Sequence, residues 1–564
     1  MAKEGTKKVS RREFVKGAAV GAAGVAAAGA LASCAPAATP TPTTAPVATA
    51  TAVPAAAPTP VPEKWDYEAD VVVAGAGNAG MCAALAAADG GAKTLLIEVS
   101  SITGGSALFS GTAVAGVLHT VGVRTWEDYN RYTRGLHDPV LGKVYVETFW
   151  NEYIPWLQSK DVVISRPTPE APSYVGDWYF GPGSGAELGP RESNRIYFDS
   201  IVTAFEALGG TVMVKTRAVK LYTDDEGGVI GLMARVWSNS PLEENQSTIN
   251  IKAKKTIVAT GNFYGNKEMM TRYIGSGGYR IRPFGGPYQC GEGIAMAQAV
   301  GARMSAFLDT LSGLLCAITP TRPWGDDPEA YEEWLNVTTP KDYDARYHVG
   351  VPFPPFVTSG AGATAILVNL DGERFMDESN LIVSNQRRDL LFVLRQPQGE
   401  AWVIADQNAY DVAAAGYKSQ IDAIIAEGGK VITDNTLEEF ATKLEEEAGM
   451  YKAGLLKTIG EYNKAIDNGT TAELDPPRSP QEKYWKISKP PFYAIPVTAT
   501  AYYTAGGLAI NEDAQTLDMA GRPIPNLYSP PPCGGGIMNQ IYTGGNGIAG
   551  TFGYRAGKHA AANL

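Results

Sequence analysis

Histidine is scarce in this chain. There are four, His119, His137, His348 and His559, among 564 residues. So few give no histidine cluster of the kind that builds a zinc or copper centre, and no metal is expected. Cysteine is nearly as rare. Cys34, Cys82, Cys290, Cys316 and Cys533 include no C-x-x-C pair, which excludes a zinc ribbon. Without C-x-x-C-H, a covalently attached c-type haem is excluded too. Basic blocks are missing beyond the N-terminus and the formal net charge is -11. Nucleic acid is therefore not an expected partner. The chemistry is left to a bound cofactor or to other side chains. A chain of this length exceeds what one core organises, and two or more domains are expected.

The N-terminus also lacks a strongly apolar run. Gly17 to Ala30 is rich in alanine and glycine, short of the roughly 20 strongly apolar residues of a transmembrane helix. Ahead of it stands "SRREFVKG", with paired Arg11 and Arg12, then Phe14 and Lys16. This is the pattern of a twin-arginine export signal. "LASC", Leu31 to Cys34, resembles a bacterial lipobox, whose cysteine becomes a lipidated first residue. Residues 1–34 are thus expected to be a signal. Two or more acyl chains on Cys34 would hold the membrane stably. Residues 35–64 are rich in Pro, Thr, Ala and Val and read as an extended, partly polyproline spacer. The expected location is extracytoplasmic, periplasmic or at the cell surface, tethered to the membrane through the N-terminal lipid.

The folded part opens with "DVVVAGAGNAG" from Asp70. Val71 to Ala74 read as a buried parallel strand. Gly75, Gly77 and Gly80 fill G-x-G-x-x-G, with Asn78 and Ala79 between the last two. An apolar helix over Met81 to Ala88 and a strand over Thr94 to Ile97 follow, and Glu98 ends the unit. This is the dinucleotide-binding pattern. Gly75 makes the tight turn, Gly77 lets backbone meet the pyrophosphate, and Gly80 lets helix pack on strand. The helix N-terminus offers N–H groups to phosphate, and Glu98 accepts from ribose hydroxyls. In "TGGSALFSG", Thr103, Gly104, Gly105, Ser106, Ser110 and Gly111 are candidates to wrap a second phosphate region. Further on, "KTIVATGN" predicts a strand over Thr256 to Ala259 before Thr260 and Gly261.

With "AGAGNAG", "TGGSALFSG", "IVATGNFYGNKEMM", "GEGIAMAQAVGA", "DGERFMDE", "GGLAINEDAQTLDMAGRPIPNLY" and "FGYRAG" in this order, the sequence resembles the flavoprotein family of fumarate reductases, succinate dehydrogenases and 3-ketosteroid dehydrogenases. The resemblance covers almost everything after Asp70. It implies an α/β fold: a Rossmann-like FAD-binding domain of the glutathione-reductase type with an inserted α+β capping/catalytic domain. The implied boundaries are 65–305 and 501–564 for the FAD-binding domain and 306–500 for the cap. Within the cap, "DVAAAGYKSQ" and "TLEEFATKLEEEAG" read as exposed helices. Two departures matter. Pro532, in "SPPPCGGG", stands near where the family places a flavin-contacting glutamate. No histidine lies between Val99 and Gly105, where covalently flavinylated relatives carry theirs, so FAD is expected to be non-covalent.

The family's carboxylate anchors are altered as well. Fumarate enzymes place an arginine before an x-G-G-N loop and a histidine before a T-x-G-G turn. This chain has Tyr542 in "YTGGN" and Tyr503 in "YYTAGG". A substrate carboxylate facing neutral phenols loses its charge partners, at a cost of several kcal/mol. "RFMDESNLIVSNQRRD" offers Arg387 and Arg388, several residues late for the family's proton-donating arginine. Ketosteroid dehydrogenases are similar in having a tyrosine before a glycine-rich loop and then F-G-Y, as "YTGGNG" and "FGYRAG" do here. That resemblance implies that Tyr542 binds a ketone oxygen, helped by backbone N–H at Asn546 or nearby, and Gly545 in the same loop is a cofactor-binding candidate. It offers Tyr179, in "DWYFGPGSG", as a second tyrosine, while a third, expected after "RFxxE", is absent. Packing is the competing role for Tyr503, Tyr179 and Tyr502, and Cys533 reads as a small buried residue.

The reading is of an exported FAD oxidoreductase. It moves a hydride between flavin N5 and a carbon conjugated to a ketone, on a small neutral enone such as a 3-ketosteroid. Tyr542, Tyr503 and Tyr179 are the candidate catalytic residues. Export without a haem domain implies an external electron carrier, a quinone or a separate cytochrome. Two alternatives stay open: a respiratory reductase of an unsaturated acid of the fumarate, acrylate or urocanate type, and a non-catalytic FAD electron-relay lipoprotein.

Overall fold

Val71 to Ala74 is an apolar run with no polar face, the pattern of a strand covered on both sides. In a computed structural model of the chain it ends strand β1 (Tyr67–Ala74), and all four residues are buried. The structure describes residues 60–110, 123–165, 179–180, 190–283, 285–318, 329, 332, 365–378, 390–412, 421–422, 424–426, 428–479 and 485–564. The export signal, the lipobox and most of the spacer lie outside them, as do Gly111, Arg387 and Arg388.

Helix α1 (Asn78–Asp89) follows β1, with Gly77 as its N-cap. It starts earlier than the apolar run predicts, because the extended backbone of Gly77 lets Asn78 take the first helical position. Strand β2 (Thr94–Ile97) returns parallel to β1, Val71 opposite Thr94. Helices α2 (Trp126–Thr133) and α3 (Pro139–Thr148) form a hairpin with strong start signals. Thr125 and Asp128 make a reciprocal capping box on α2, and the Asp138 carboxylate accepts from two N–H groups of α3, whose first residue is proline. After α4 (Pro190–Ala207), strand β3 (Thr211–Met213) adds parallel to β2. Strands β4 (Thr216–Thr223), β5 (Val229–Val236) and β6 (Ser247–Val258) form an antiparallel meander. The second half of β6 crosses back to pair parallel with β1.

After α5 (Glu292–Ala299) the chain builds a second sheet. Strand β7 (Leu311–Ser312) precedes β8 (Leu315–Ala317), β9 (Ile366–Val368), β10 (Glu400–Asp406) and β11 (Ile432–Asp434). Helices α6 (Leu437–Ala448) and α7 (Lys452–Asn468) then lead to the long strand β12 (Phe492–Ala501). The order is β8-β12-β10-β9, with β11 also on β12. Alternation along these strands assigns two faces. Ile366, Val368, Trp402, Ile404, Phe492 and Ala494 pack on Phe440, Leu444, Leu455 and Ile459 of α6 and α7. Leu367, Val403, Ile495 and Val497 instead join one apolar cluster with Val72, Ala74, Leu95 and Ile97 of the first sheet. At roughly 1.5–3 kcal/mol per large apolar side chain, burial in this shared cluster ties the two sheets into one body. Helix α6 is not wholly exposed, as the sequence reading expects. Phe440, Ala441 and Leu444 recur at helical spacing and are buried, and only its glutamate-rich face is in water.

Strand β13 (Tyr503–Thr504) pairs with β7. The edge strand β14 (Gln515–Leu517) leads to β15 (Pro523–Tyr528), which lies parallel to β6. The first sheet thus runs β14-β15-β6-β1-β2-β3. Helix α8 (Gly545–Ala562) closes the chain and packs on α1. Its glycines permit the crossing. A Cβ at Gly553 would lie 2.2 Å from the oxygen of Ala79, and one at Gly557 2.1 Å from that of Ala83. The backbones touch, and the N-termini of α1 and α8 come together at the C-terminal edge of the parallel strands.

Candidate active site

The β1–α1 turn is built from three glycines under different constraints. Gly75 has φ +101°, and a Cβ there would lie 2.5 Å from the oxygen of Ala259. At Gly80 a Cβ would sit 1.8 Å from the oxygen of Gly75. Protein atoms exclude any side chain at both. Gly77 differs, because a Cβ there would meet nothing within 4 Å. Its glycine is not needed by the fold. It faces open space at the N-terminus of α1, where Asn78, Ala79 and Gly80 present N–H groups with no partner inside the helix. That is a cradle for a phosphate. The opposite wall is the Thr103–Ser106 loop. Gly104 donates to the oxygen of Ala76 at 2.8 Å, and a Cβ at Gly105 would come within 3.2 Å of Gly77 Cα.

Glu98 lies at the end of β2 and is 5% exposed. It accepts from Ala76 N–H at 2.5 Å and from Ser100 N–H at 2.9 Å. Burial pushes its carboxyl up to about 7; those N–H bonds oppose the rise and the nearby Glu332 adds to it. Thr103 is buried, and its oxygen accepts from Arg195 Nη1 at 3.4 Å. Ser106 Oγ shares a hydrogen bond with the Tyr264 hydroxyl at 2.9 Å. Ser110 is held by Asn194, whose Nδ2 donates to its backbone oxygen at 3.2 Å. Thr260 Oγ1 accepts from Gly293 N–H at 3.1 Å, and Gly261 has φ +85° against Gln289. All the described dinucleotide candidates thus line the same edge of the sheet or the loops on it.

The Tyr542 loop joins this edge at the start of α8. The Tyr542 hydroxyl oxygen accepts from Gly545 N–H at 2.9 Å. An oxygen that accepts becomes a better donor through its own O–H. The Tyr542 ring meets that of Tyr502 edge to face at 5.5 Å. Tyr503 is buried, and a Cβ at Gly545 would lie 2.8 Å from its ring, so the glycine there is required by packing. Burial, with Tyr542 and Tyr129 nearby, pushes the Tyr503 hydroxyl well above its ordinary range. Tyr503 is therefore a neutral phenol at physiological pH. Tyr179 falls in a two-residue strand, Tyr179–Phe180, paired with Ile164–Ser165 in a small sheet separate from that of β13.

The "SPPPCGGG" run is backbone against backbone. Leu508 N–H donates to the oxygen of Cys533 and Gly535 N–H to that of Leu508, both at 2.9 Å. A Cβ at Gly535 would lie 2.2 Å from Gly507 N. Cys533 is fully buried, and burial pushes its thiol up to about 12, which makes it inert as a nucleophile.

The sequence reading missed several residues of this site. Tyr129, Tyr132 and Tyr145, on α2 and α3, reach the Tyr542 loop. Tyr197 and Tyr153 enclose Asn78 with Cys82; the Tyr197 hydroxyl donates to Asn78 Oδ1 at 2.9 Å. No motif marks them. Their only signal is aromatic residues at helical spacing, as with Tyr129 and Tyr132 or Tyr145 and Phe149.

A family model described as FAD binding domain matches residues 70–552. The chain is 26% identical over 508 residues to a probable fumarate reductase of Shewanella frigidimarina, covering 87% of this chain and 74% of that protein. It is 25% identical over 533 residues to a vinyl phenol reductase of Lactiplantibacillus plantarum, covering 87% of this chain and 96% of that protein. Among solved structures, a 3-ketosteroid-Δ4-(5α)-dehydrogenase of Rhodococcus jostii RHA1 shares the fold with a TM-score of 0.61 at 23% identity, covering 88% of this chain and 98% of that one.

Proposed function

We propose a function from the premise that this chain belongs to the FAD binding domain family. It is an FAD-dependent oxidoreductase acting on CH–CH groups. The cradle at Gly77, the loop at Thr103–Ser106 and the acid at Glu98 fit FAD. When bound there, FAD supplies the two-electron redox chemistry. The substrate we infer is a small neutral molecule whose C=C is conjugated to a ketone, a 3-ketosteroid or similar enone.

The observation that carries this reading is Tyr542 seated at the N-terminus of α8. Gly545 N–H donates to its oxygen, which strengthens its O–H as a donor to a carbonyl. The first-turn N–H groups of α8 add partial positive charge. Donors aimed at an oxygen that becomes negative are worth about 2.7–4 kcal/mol each. Tyr503, buried against the Gly545 turn of the same loop, is the candidate to exchange the second proton, with Tyr179 the alternative. The vinyl phenol reductase relative supports a neutral conjugated substrate by its name. The probable fumarate reductase relative favours a second reading, an unsaturated carboxylic acid. That reading needs a cation near the substrate, and Arg387 and Arg388 are its candidates.

Three further parts of the proposal rest on sequence. FAD is held non-covalently, since Val99 to Gly105 contain no histidine. The chain is exported by the twin-arginine route and tethered through Cys34; Cys34→Ala should move it from the membrane to the soluble fraction, and retention would point to an uncleaved anchor. Its electrons pass through an external quinone or cytochrome.

The experiment is reoxidation of the anaerobically reduced enzyme by a panel: a 3-keto-4-ene steroid, a 1,4-diene steroid, 4-vinylphenol, a cinnamate, an acrylate and fumarate. Fast reoxidation by the ketones with the acids inert supports the reading. Fast reoxidation by an acid alone replaces it with the second. Reoxidation by none of them, with turnover only through a redox partner, would leave an electron-relay flavoprotein.

A further inference from the structure

The loop that carries Tyr542 is pinned by one helical hairpin. The Tyr145 hydroxyl, from α3, donates to the oxygen of Thr543 at 3.2 Å. The Tyr132 hydroxyl, from α2, donates to the oxygen of Tyr542 at 3.4 Å. The Tyr129 hydroxyl donates to the oxygen of Ile537 at 3.4 Å and lies 3.2 Å from Thr543 Oγ1. Between the two helices, Asp138 N–H donates to the oxygen of Gly536 at 3.3 Å. All these contacts cross about 400 residues of sequence, and all land between Gly536 and Thr543.

Packing alone does not explain these hydroxyls. Tyr129 and Tyr145 have no exposed surface, and their rings meet edge to face at 6.0 Å. Phenylalanine would fill the same volume without a polar atom to satisfy. Each hydroxyl instead ends on the loop. Two consecutive peptide oxygens, of Tyr542 and Thr543, are fixed immediately before Gly544, whose φ of +100° turns the chain into α8. These bonds fix the peptide plane that follows Tyr542 and the next one, and so restrain where the Tyr542 side chain leaves the loop. Both helices of the hairpin start from side-chain caps, which stabilise their first turns. Burial pushes both phenols above their ordinary range, so they remain O–H donors at any physiological pH.

We propose that Tyr145 and Tyr129 are positioning residues for the reaction. They hold the 536–543 loop so that the Tyr542 hydroxyl stays on Gly545 N–H and faces the substrate carbonyl. This rests on the reading of Tyr542 as the carbonyl ligand. The hairpin is a buttress, and neither phenol touches the substrate.

The test is a double-mutant cycle on the FAD-loaded enzyme. Tyr145→Phe and Tyr129→Phe are made alone and in a Tyr542→Phe background. Flavin content and thermal midpoint establish that each variant is folded. Hydrogen exchange of the 536–547 peptide reports the loop directly. We expect Tyr145→Phe to keep its flavin, to speed exchange in that peptide about tenfold, and to lower kcat about tenfold with KM little changed, because small misplacements of a catalytic group are costly. In the Tyr542→Phe background it should cost nothing more. Unchanged exchange overturns the inference whatever turnover does. Equal losses of kcat in both backgrounds overturn it too, since the effect would then be general loss of structure. Should Tyr542→Phe alone leave turnover intact, the carbonyl-ligand reading falls and the positioning role falls with it, while faster exchange would still establish the buttress.

Discussion

Asn78 Nδ2 donates to the backbone oxygen of Asn546 at 2.9 Å, joining the first residue of α1 to the second of α8. Asn78 Oδ1 meanwhile accepts from Tyr197. The side chain is 3% exposed. It therefore braces α1 against the helix that seats Tyr542. Removing it takes one hydrogen bond from the Asn546 carbonyl and the shortest one from the Tyr197 hydroxyl, which keeps only longer contacts with Tyr153 and Cys82; each lost bond is worth about 0.5–1.5 kcal/mol. Asn78→Ala should fold, with a lowered thermal midpoint, and bind FAD at least tenfold more weakly in a fluorescence titration. Asn78→Asp keeps the acceptor but sets a carboxylate against the Asn546 carbonyl, and should be no better than alanine. An aspartate variant with native affinity would show that the Asn546 contact is dispensable.

Tyr542→Phe removes one hydroxyl and leaves the ring against Tyr502. If the O–H stabilises developing negative charge on a ketone oxygen, kcat should fall about a hundredfold while the flavin spectrum and content stay native. A fall confined to KM would make Tyr542 a binding contact only. With a carboxylate substrate the same change should matter little, because a neutral donor contributes less than a cation.

Much of this site was legible in the sequence, and the limits are physical. The β1–α1–β2 unit announces itself through apolar runs and glycine spacing, because local geometry dictates both. Tyr542 and Gly545 are found together because they lie three residues apart on one loop. Tyr129, Tyr145 and Asn78 act across about 400 or more residues, and nothing local marks a phenol whose hydroxyl ends on a distant carbonyl. The same holds for Gly507 and Gly535. Each is a glycine because another backbone presses on it, which only the fold shows. Helix α6 was misread because its glutamates outnumber the three residues that bury its other face.

Glu98 gives the apoprotein a pH dependence with a definite sign. Its ordinary pKa is near 4.5, and burial raises it to about 7 in the folded chain. A carboxyl raised on folding favours the folded state fully below 4.5, and that contribution is lost as pH rises toward 7. The loss is about 3 kcal/mol at most. Denaturant titrations of the apoprotein at pH 5 and pH 7.5 should therefore show a fall in stability that Glu98→Gln does not share. Equal slopes for the two proteins would mean that the carboxylate is already compensated by its N–H donors.

Gly77 and Gly80 occupy one motif but answer to different partners, and alanine separates them. At Gly80 the added methyl would lie 1.8 Å from the oxygen of Gly75, with no flexible side chain to move aside. Helix α1 must then shift off the sheet, and the apoprotein itself should be strongly destabilised. At Gly77 the backbone has φ -73° and ψ -178°, which any residue adopts, and the methyl would meet no protein atom within 4 Å. The apoprotein should keep its thermal midpoint within a degree or two. The methyl would instead stand where the backbone must approach a phosphate, so FAD affinity should fall a hundredfold or more. Purified Gly77→Ala should be colourless, folded, and slow to regain flavin. A yellow Gly77→Ala enzyme with native affinity would show that the pyrophosphate does not pass over Gly77, and that the cradle is built elsewhere on this edge.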